Sequence, residues 1–182
     1  MSTFVKTVLF VHNFNTMKKL LLSLLFAVPT FAQSGFQSVD GMLVWERSFP
    51  IKSVDVTAFL NQEPNLKVVT FAENVFNGVG NEIGVGCEAG SGLLKNNCKF
   101  DFIIEVHPDK YNVKVTNLKI IEKYGPMQAR IMANNSEKYF LDNNSIKNDN
   151  RTLTDINCLD NMLVDIFYTP ATVKEEEGLT TN

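Results

Sequence analysis

Phe100 to Thr116, FDFIIEVHPDKYNVKVT, decides the fold. Phe100, Phe102, Ile104 and Val106 alternate with Asp101, Ile103 and Glu105, the period of two that marks a strand with one face in a core. His107-Pro108-Asp109-Lys110 places proline and aspartate where they favour chain reversal, and Tyr111 to Thr116 then alternates again. The stretch reads as an antiparallel hairpin at the centre of a sheet, with Leu118 to Ile121 prolonging its second strand until Gly125-Pro126 breaks the pattern. The hairpin also has an outer side. Ile103 points away from the core set, and Lys114 and Thr116 share its direction, so this face is polar with one apolar point. A weak protein contact is expected there, at Ile103, Lys114 and Thr116.

Upstream, Met42 to Phe49 reads as a strand ended by Pro50, and Trp45 with Leu43 and Phe49 on its side belongs to the core. Ser53 can cap a brief helix, Val54 to Leu60. Asn65 to Val75 is short and β-branched, which suits a strand, and its apolar positions change register after Val68, as a bulge would make them do. The segment Gly78 to Gly92 contains Gly84-x-Gly86-x-x-Ala89, a loose dinucleotide-type match. A nucleotide loop should open a helix, but here Leu93 to Phe100 has no helical stripe and leads into the strongest strand. Glycine at alternate positions instead marks a strand that another element approaches closely.

Downstream, Asn134 to Asn150 holds six asparagines and reads as a polar loop. A final helix follows, with Thr152 and Asp155 spaced as a capping box and a stripe of Ile156, Leu159, Leu163 and Ile166. Asp155, Asp160 and Asn161 lie off that stripe and are expected to face water. Beyond Pro170 the acidic tail, 170–182, has nothing to bury and is expected to be flexible.

Met17 to Gln33, MKKLLLSLLFAVPTFAQ, has the basic start, apolar middle and small-x-small end of a secretory signal. Residues 1–32 are accordingly read as an upstream extension plus a signal peptide at 17–32. A polar lead-in, 33–41, and a single domain, 42–169, come after it. Leu20 to Val28 is nine residues, whereas a helical span takes roughly 20, so no membrane span is expected after cleavage. Removing 32 of the 182 residues leaves 150, enough for one ordinary core. Three of the 17 basic residues and none of the 20 acidic ones lie in the leader, which gives the mature chain a formal charge of −6. That balance is poorly matched to a phosphate backbone, so no nucleic-acid partner is expected.

Cys87, Cys98 and Cys158 allow one bridge at most. If the chain turns back at Gly92-Leu93, Cys87 and Cys98 fall opposite one another on adjacent strands and are expected to pair. Otherwise all three are small buried hydrophobes. There is no C-x-x-C or H-E-x-x-H, and His107 is the one histidine after the leader, so no metal, cofactor or catalytic triad is expected. Glu82, Glu88, Asp101 and Glu105 are the carboxylates that a hydrolase reading would use.

In segment order, with its Gly-rich strand, its Asp109 to Tyr111 turn leading into Asn112 to Leu118 and its late helix, the chain resembles exported Bacteroidetes domains of unknown function described as having a TATA-binding-protein-like fold. Trp45 to Phe49, Ile83 to Gly86 and Tyr111 to Leu118 are the short matches, and the leader end Phe31-Ala32-Gln33 is similar too. The resemblance covers roughly Met42 to Phe167. It implies an α+β fold, a curved antiparallel sheet with helices packed on one face. It brings no established activity or catalytic residues, and the DNA-binding role of the fold's namesake does not travel with it. Two functions are therefore expected to compete. One is an exported periplasmic or extracellular module that binds an envelope protein or itself; the other is an exported hydrolase built on the four acids.

Overall fold

The computed structural model describes residues 34–51 and 56–168. The signal-like segment with its cleavage point, the Ser53 cap and the 170–182 tail lie outside the described residues. Strands β1 (Phe36–Val39), β2 (Met42–Pro50), β3 (Leu66–Ala72), β4 (Val75–Ile83), β5 (Cys98–Val106), β6 (Lys110–Tyr124) and β7 (Arg130–Asn135) build a seven-stranded antiparallel sheet. Its order is β1-β2-β6-β5-β4-β3, and β7 also pairs with β6. The central hairpin is β5–β6, with Phe102 opposite Val115 and Ile104 opposite Val113. His107 N–H donates to the Lys110 carbonyl at 2.8 Å and closes the turn. Helix α1 (Val56–Gln62) follows β2, and β3 carries the expected register shift between Val68 and Thr70. Helices α2 (Glu137–Phe140) and α3 (Asn150–Phe167) follow β7.

One sheet face carries the core. Leu43, Trp45 and Phe49 of β2, Phe100, Phe102 and Ile104 of β5, and Tyr111, Val113 and Val115 of β6 are buried against Ile156, Leu159, Leu163 and Phe167 of α3. Phe167 is the meeting point, with ring centroids 6.1 Å from Trp45 and 5.5 Å from Phe102. Phe59 of α1 joins the same cluster at 6.4 Å from Tyr111. The fold is α+β with its helices on one face of an antiparallel sheet.

Gly78 and Gly80 explain how β4 fits. They stand opposite Phe102 and Phe100, and the aromatic rings lie across them. A Cβ at Gly78 would sit 2.2 Å from Phe102 Cζ and 2.6 Å from the Lys67 carbonyl. The close approach read from alternating glycine is thus a pair of cross-strand rings.

Several expectations need correction. The polar lead-in 33–41 contains β1, whose Phe36 is buried opposite Trp45. The asparagine-rich loop is structured: β7 returns along β6, and the two-residue strands β8 (Leu141–Asp142) and β9 (Ser145–Ile146) form a small hairpin. Asn143 and Asn144 turn it at φ 46° and 60°, the left-handed region that asparagine tolerates better than most residues. Helix α3 is capped by Asp149, which accepts from Thr152 N at 2.9 Å, and Thr152 is therefore not the cap. Asp155 and Asp160 are buried rather than facing water.

The cysteine pairing also differs. Cys87 bonds Cys158 of α3, with Cα atoms 5.7 Å apart, and Cys98 is a buried free thiol. The Cys87–Cys98 expectation fails because the chain does not turn at Gly92-Leu93. β4 ends at Ile83, Gly92–Lys95 is a 3₁₀ turn, and Ile83 rather than Cys87 lies opposite Cys98. Cys98 Sγ points into the core, 3.9 Å from Met162 Sδ.

Candidate functional site

The outer face of the sheet is where the expected interaction residues meet. Cross-strand register places Glu46, Lys114, Ile103 and Asn77 in one row over β2, β6, β5 and β4. Asn77 Nδ2 donates to Thr70 Oγ1 at 3.1 Å and carries the row to β3. Thr116 lies opposite Asp101 in the next row. Ile103, Lys114 and Thr116 are therefore together, as read, although Ile103 is half-buried between Lys114 and Asn77 rather than standing clear. Polar side chains bind one another across this surface. Asn117 Nδ2 donates to Asp101 Oδ2 at 3.0 Å, and Ser48 Oγ donates to Asn112 Oδ1 at 2.7 Å.

A one-residue irregularity changes the lower half of this face. Lys99 pairs with Lys119 whereas Asp101 pairs with Thr116, so β6 holds one extra residue there, with Asn117 at φ 53°. An extra residue inverts the side-chain parity that follows it. Leu118 and Ile120 consequently enter the core, and Lys119 and Ile121 point outward. A hollow of about 540 Å³ lies over this region. It touches β3, β4, β5, β6 and β7 through Lys67, Asn81, Lys99, Ile121 and Ile131. A smaller hollow of about 210 Å³ adjoins it at Asn81 and Lys99 and adds Lys119.

The four acids of the hydrolase reading do not converge. Asp101 and Glu105 share a strand face four residues apart, about 13 Å by strand rise, wider than the separations of paired catalytic carboxyls. Asp101 is held by Asn117, and Glu105 lies 4.0 Å from His107 Nε2. Glu82 has φ 54° near the end of β4 and lines the larger hollow, and Glu88 sits in the connection to the 3₁₀ turn. Among the described residues, no cluster of three or more His, Cys, Asp or Glu side chains is placed to hold a metal ion.

The helix side carries three carboxylates whose roles sequence reading missed. Asp160 Oδ1 accepts from Trp45 Nε1 at 2.7 Å and Gly35 N at 2.8 Å, and its Oδ2 accepts from Arg47 Nη2 at 2.7 Å. Asp155 accepts from Ser91 N and Ser91 Oγ, both at 2.7 Å, and so ties the 3₁₀ turn to α3 beside the disulfide. Glu122 accepts from Asn134 and from the Tyr139 hydroxyl. Hydrogen bonds from Tyr124 and Tyr139 hold the Glu122 carboxyl below the usual carboxylate range. Burial and the same carboxylate push the Tyr139 hydroxyl up. These groups fasten helices to the sheet. The available signal was Trp45 itself, since a buried indole N–H needs an acceptor.

No protein-family model matches the chain, and no curated protein does. Two solved structures are similar to it. One is a DUF4468 family protein from Bacteroides ovatus, 15% identical, covering 76% of this chain and 93% of its own, with a TM-score of 0.43. The other is a TBP-like protein from Parabacteroides distasonis, 10% identical, covering 71% and 92%, with a TM-score of 0.44. No helix among the described residues is long and apolar enough to cross a membrane.

Proposed function

We propose that this chain is an exported binding or assembly module of the bacterial cell envelope, working by contact with a partner protein through the outer face of its sheet. The observation that carries the reading is the sheet's asymmetry. α1 and α3 join a core on one side, whereas the other side bears a hollow that touches five strands and that no helix lines among the described residues. Export rests on the 17–33 segment. Mass measurement of the protein from expressing cells is expected to find Gln33 as the first residue, and retention of residues 17–32 would remove the export half of the proposal.

The contact half is tested with Ile103→Lys. Solution mass is followed across concentration, and the partner protein recovered from envelope extract is identified. The wild type is expected to self-associate or to recover a defined envelope protein, and the variant to lose that behaviour while still unfolding cooperatively. Identical behaviour of the two proteins would mean that the face is ordinary surface.

A further inference from the structure

We propose that the lower half of the outer face is a docking trough for an acidic, extended segment of a partner protein. The proposal deepens the module reading and rests on it. Lys67, Lys99 and Lys119 come from three different strands and line the two adjoining hollows. None of the three forms an ion pair among the described residues. Two acids share the lining, Glu82 in the larger hollow and Asp101, which accepts from Asn117, in the smaller, so the three lysines outnumber them. At the opposite end Ile121, Ile131 and Ala133 supply an apolar wall, and Ile131 is 66% exposed. Its strand, β7, pairs with β6 alone, so its other edge keeps backbone donors and acceptors unpaired among the described residues.

Three features together select the occupant. Unpaired lysines favour carboxylates, a neighbouring apolar wall favours aliphatic side chains beside them, and an open strand edge favours an extended backbone. A nucleic acid fits less well. The lining of the larger hollow contains no aromatic ring on which a base could stack.

The test is direct binding of a short labelled peptide carrying a leucine-valine end and a run of glutamates, followed by fluorescence anisotropy at several salt concentrations. Saturable, salt-sensitive binding is expected. Lys99→Glu with Lys119→Glu should weaken it by at least about tenfold, Ile131→Asp should weaken it at all salt concentrations, and Lys138→Glu on the helix side should leave it unchanged. Lys119→Glu alone, at a half-buried position, serves if the double variant misfolds. Absence of binding, equal binding of a peptide with lysines in place of glutamates, or tighter binding of a single-stranded oligonucleotide would each overturn the proposal. If the peptide fails while Ile103→Lys still abolishes partner recovery, the trough assignment falls and the module reading stands. If both tests fail, both fall.

Discussion

Replacing Asp160 with alanine asks what fastens α3 to the sheet. Trp45 is fully buried, and its Nε1–H has Asp160 Oδ1 as acceptor at 2.7 Å, so in the variant it has no water to turn to. A buried donor stranded in this way costs about 1–3 kcal/mol. Gly35 N–H, also held by Oδ1 but only part-buried, adds about 1 kcal/mol. Arg47 contributes less, because its side chain is 32% exposed and can rehydrate, and such pairs are worth about 0–1 kcal/mol. The sum is about 3 kcal/mol, which in a domain of this size lowers the melting temperature by roughly 6–12 °C.

Trp45 is the single tryptophan, so its fluorescence during urea and thermal unfolding reports on the same group that loses its partner. Asp160→Asn keeps an acceptor oxygen and should cost about 1 kcal/mol, and Arg47→Met should cost no more than that. A loss below about 1 kcal/mol for Asp160→Ala would refute the reasoning. So would an Arg47→Met loss equal to it, because the ion pair and not the indole bond would then be the anchor.

Non-reducing peptide mapping should recover Cys87 linked to Cys158. Cys98, whose thiol burial pushes up to about 12, should resist alkylation at pH 8 until the protein is unfolded. Cys158→Ser opens a 71-residue separation and should cost about 4 kcal/mol in urea unfolding. Gly78→Ala should cost about 1–3 kcal/mol because the Lys67 carbonyl cannot swing away as a ring can; Gly80→Ala, which meets only the Phe100 ring, should cost less. The lowered Glu122 carboxyl and the lowered Asp149 carboxyl at the α3 cap give stability that is present above the ordinary carboxylate value, near pH 4, and is lost as pH falls through their lowered values. Glu122→Gln should therefore differ from wild type in urea midpoint at pH 7 and converge with it in acid, once the lowered carboxyl is protonated in the folded protein.

The elements whose pattern is self-contained were legible. Alternation from Phe100 to Thr116 defines β5 and β6, and the Ile156, Leu159, Leu163 stripe defines α3, because each pattern records one element against one core. What sequence hid depends on a second element. Asp155 and Asp160 are polar by type and lie beside the apolar stripe, yet each is buried by donors 64 and 115 residues away, Ser91 and Trp45. Cys158 is likewise chosen over Cys98 only because the 84–91 connection leaves the sheet and reaches α3. β7 carries Ile131 and Met132 on opposite faces of an edge, so no alternation marks it.

The candidate face shows the same division at one residue. Ile103, Lys114 and Thr116 could be placed by counting in twos, since β5 and β6 stay in step above Asn117. Below it, unbroken counting puts Leu118 and Ile120 outside and Lys119 and Ile121 inside, which would expose two large apolar chains and bury a lysine. The extra residue at Asn117 reverses that assignment. Leu118 and Ile120 thereby gain their places in the core, and Lys119 is turned out beside Lys99 and toward the outer face. An extra residue also bends its strand and increases the local twist, in the same half of the sheet where the hollow spans β3 to β7. The lower core and the outward turn of Lys119 thus follow from the extra residue at Asn117, and β4 adds a second register shift in the same half, between Gly80 and Ile83.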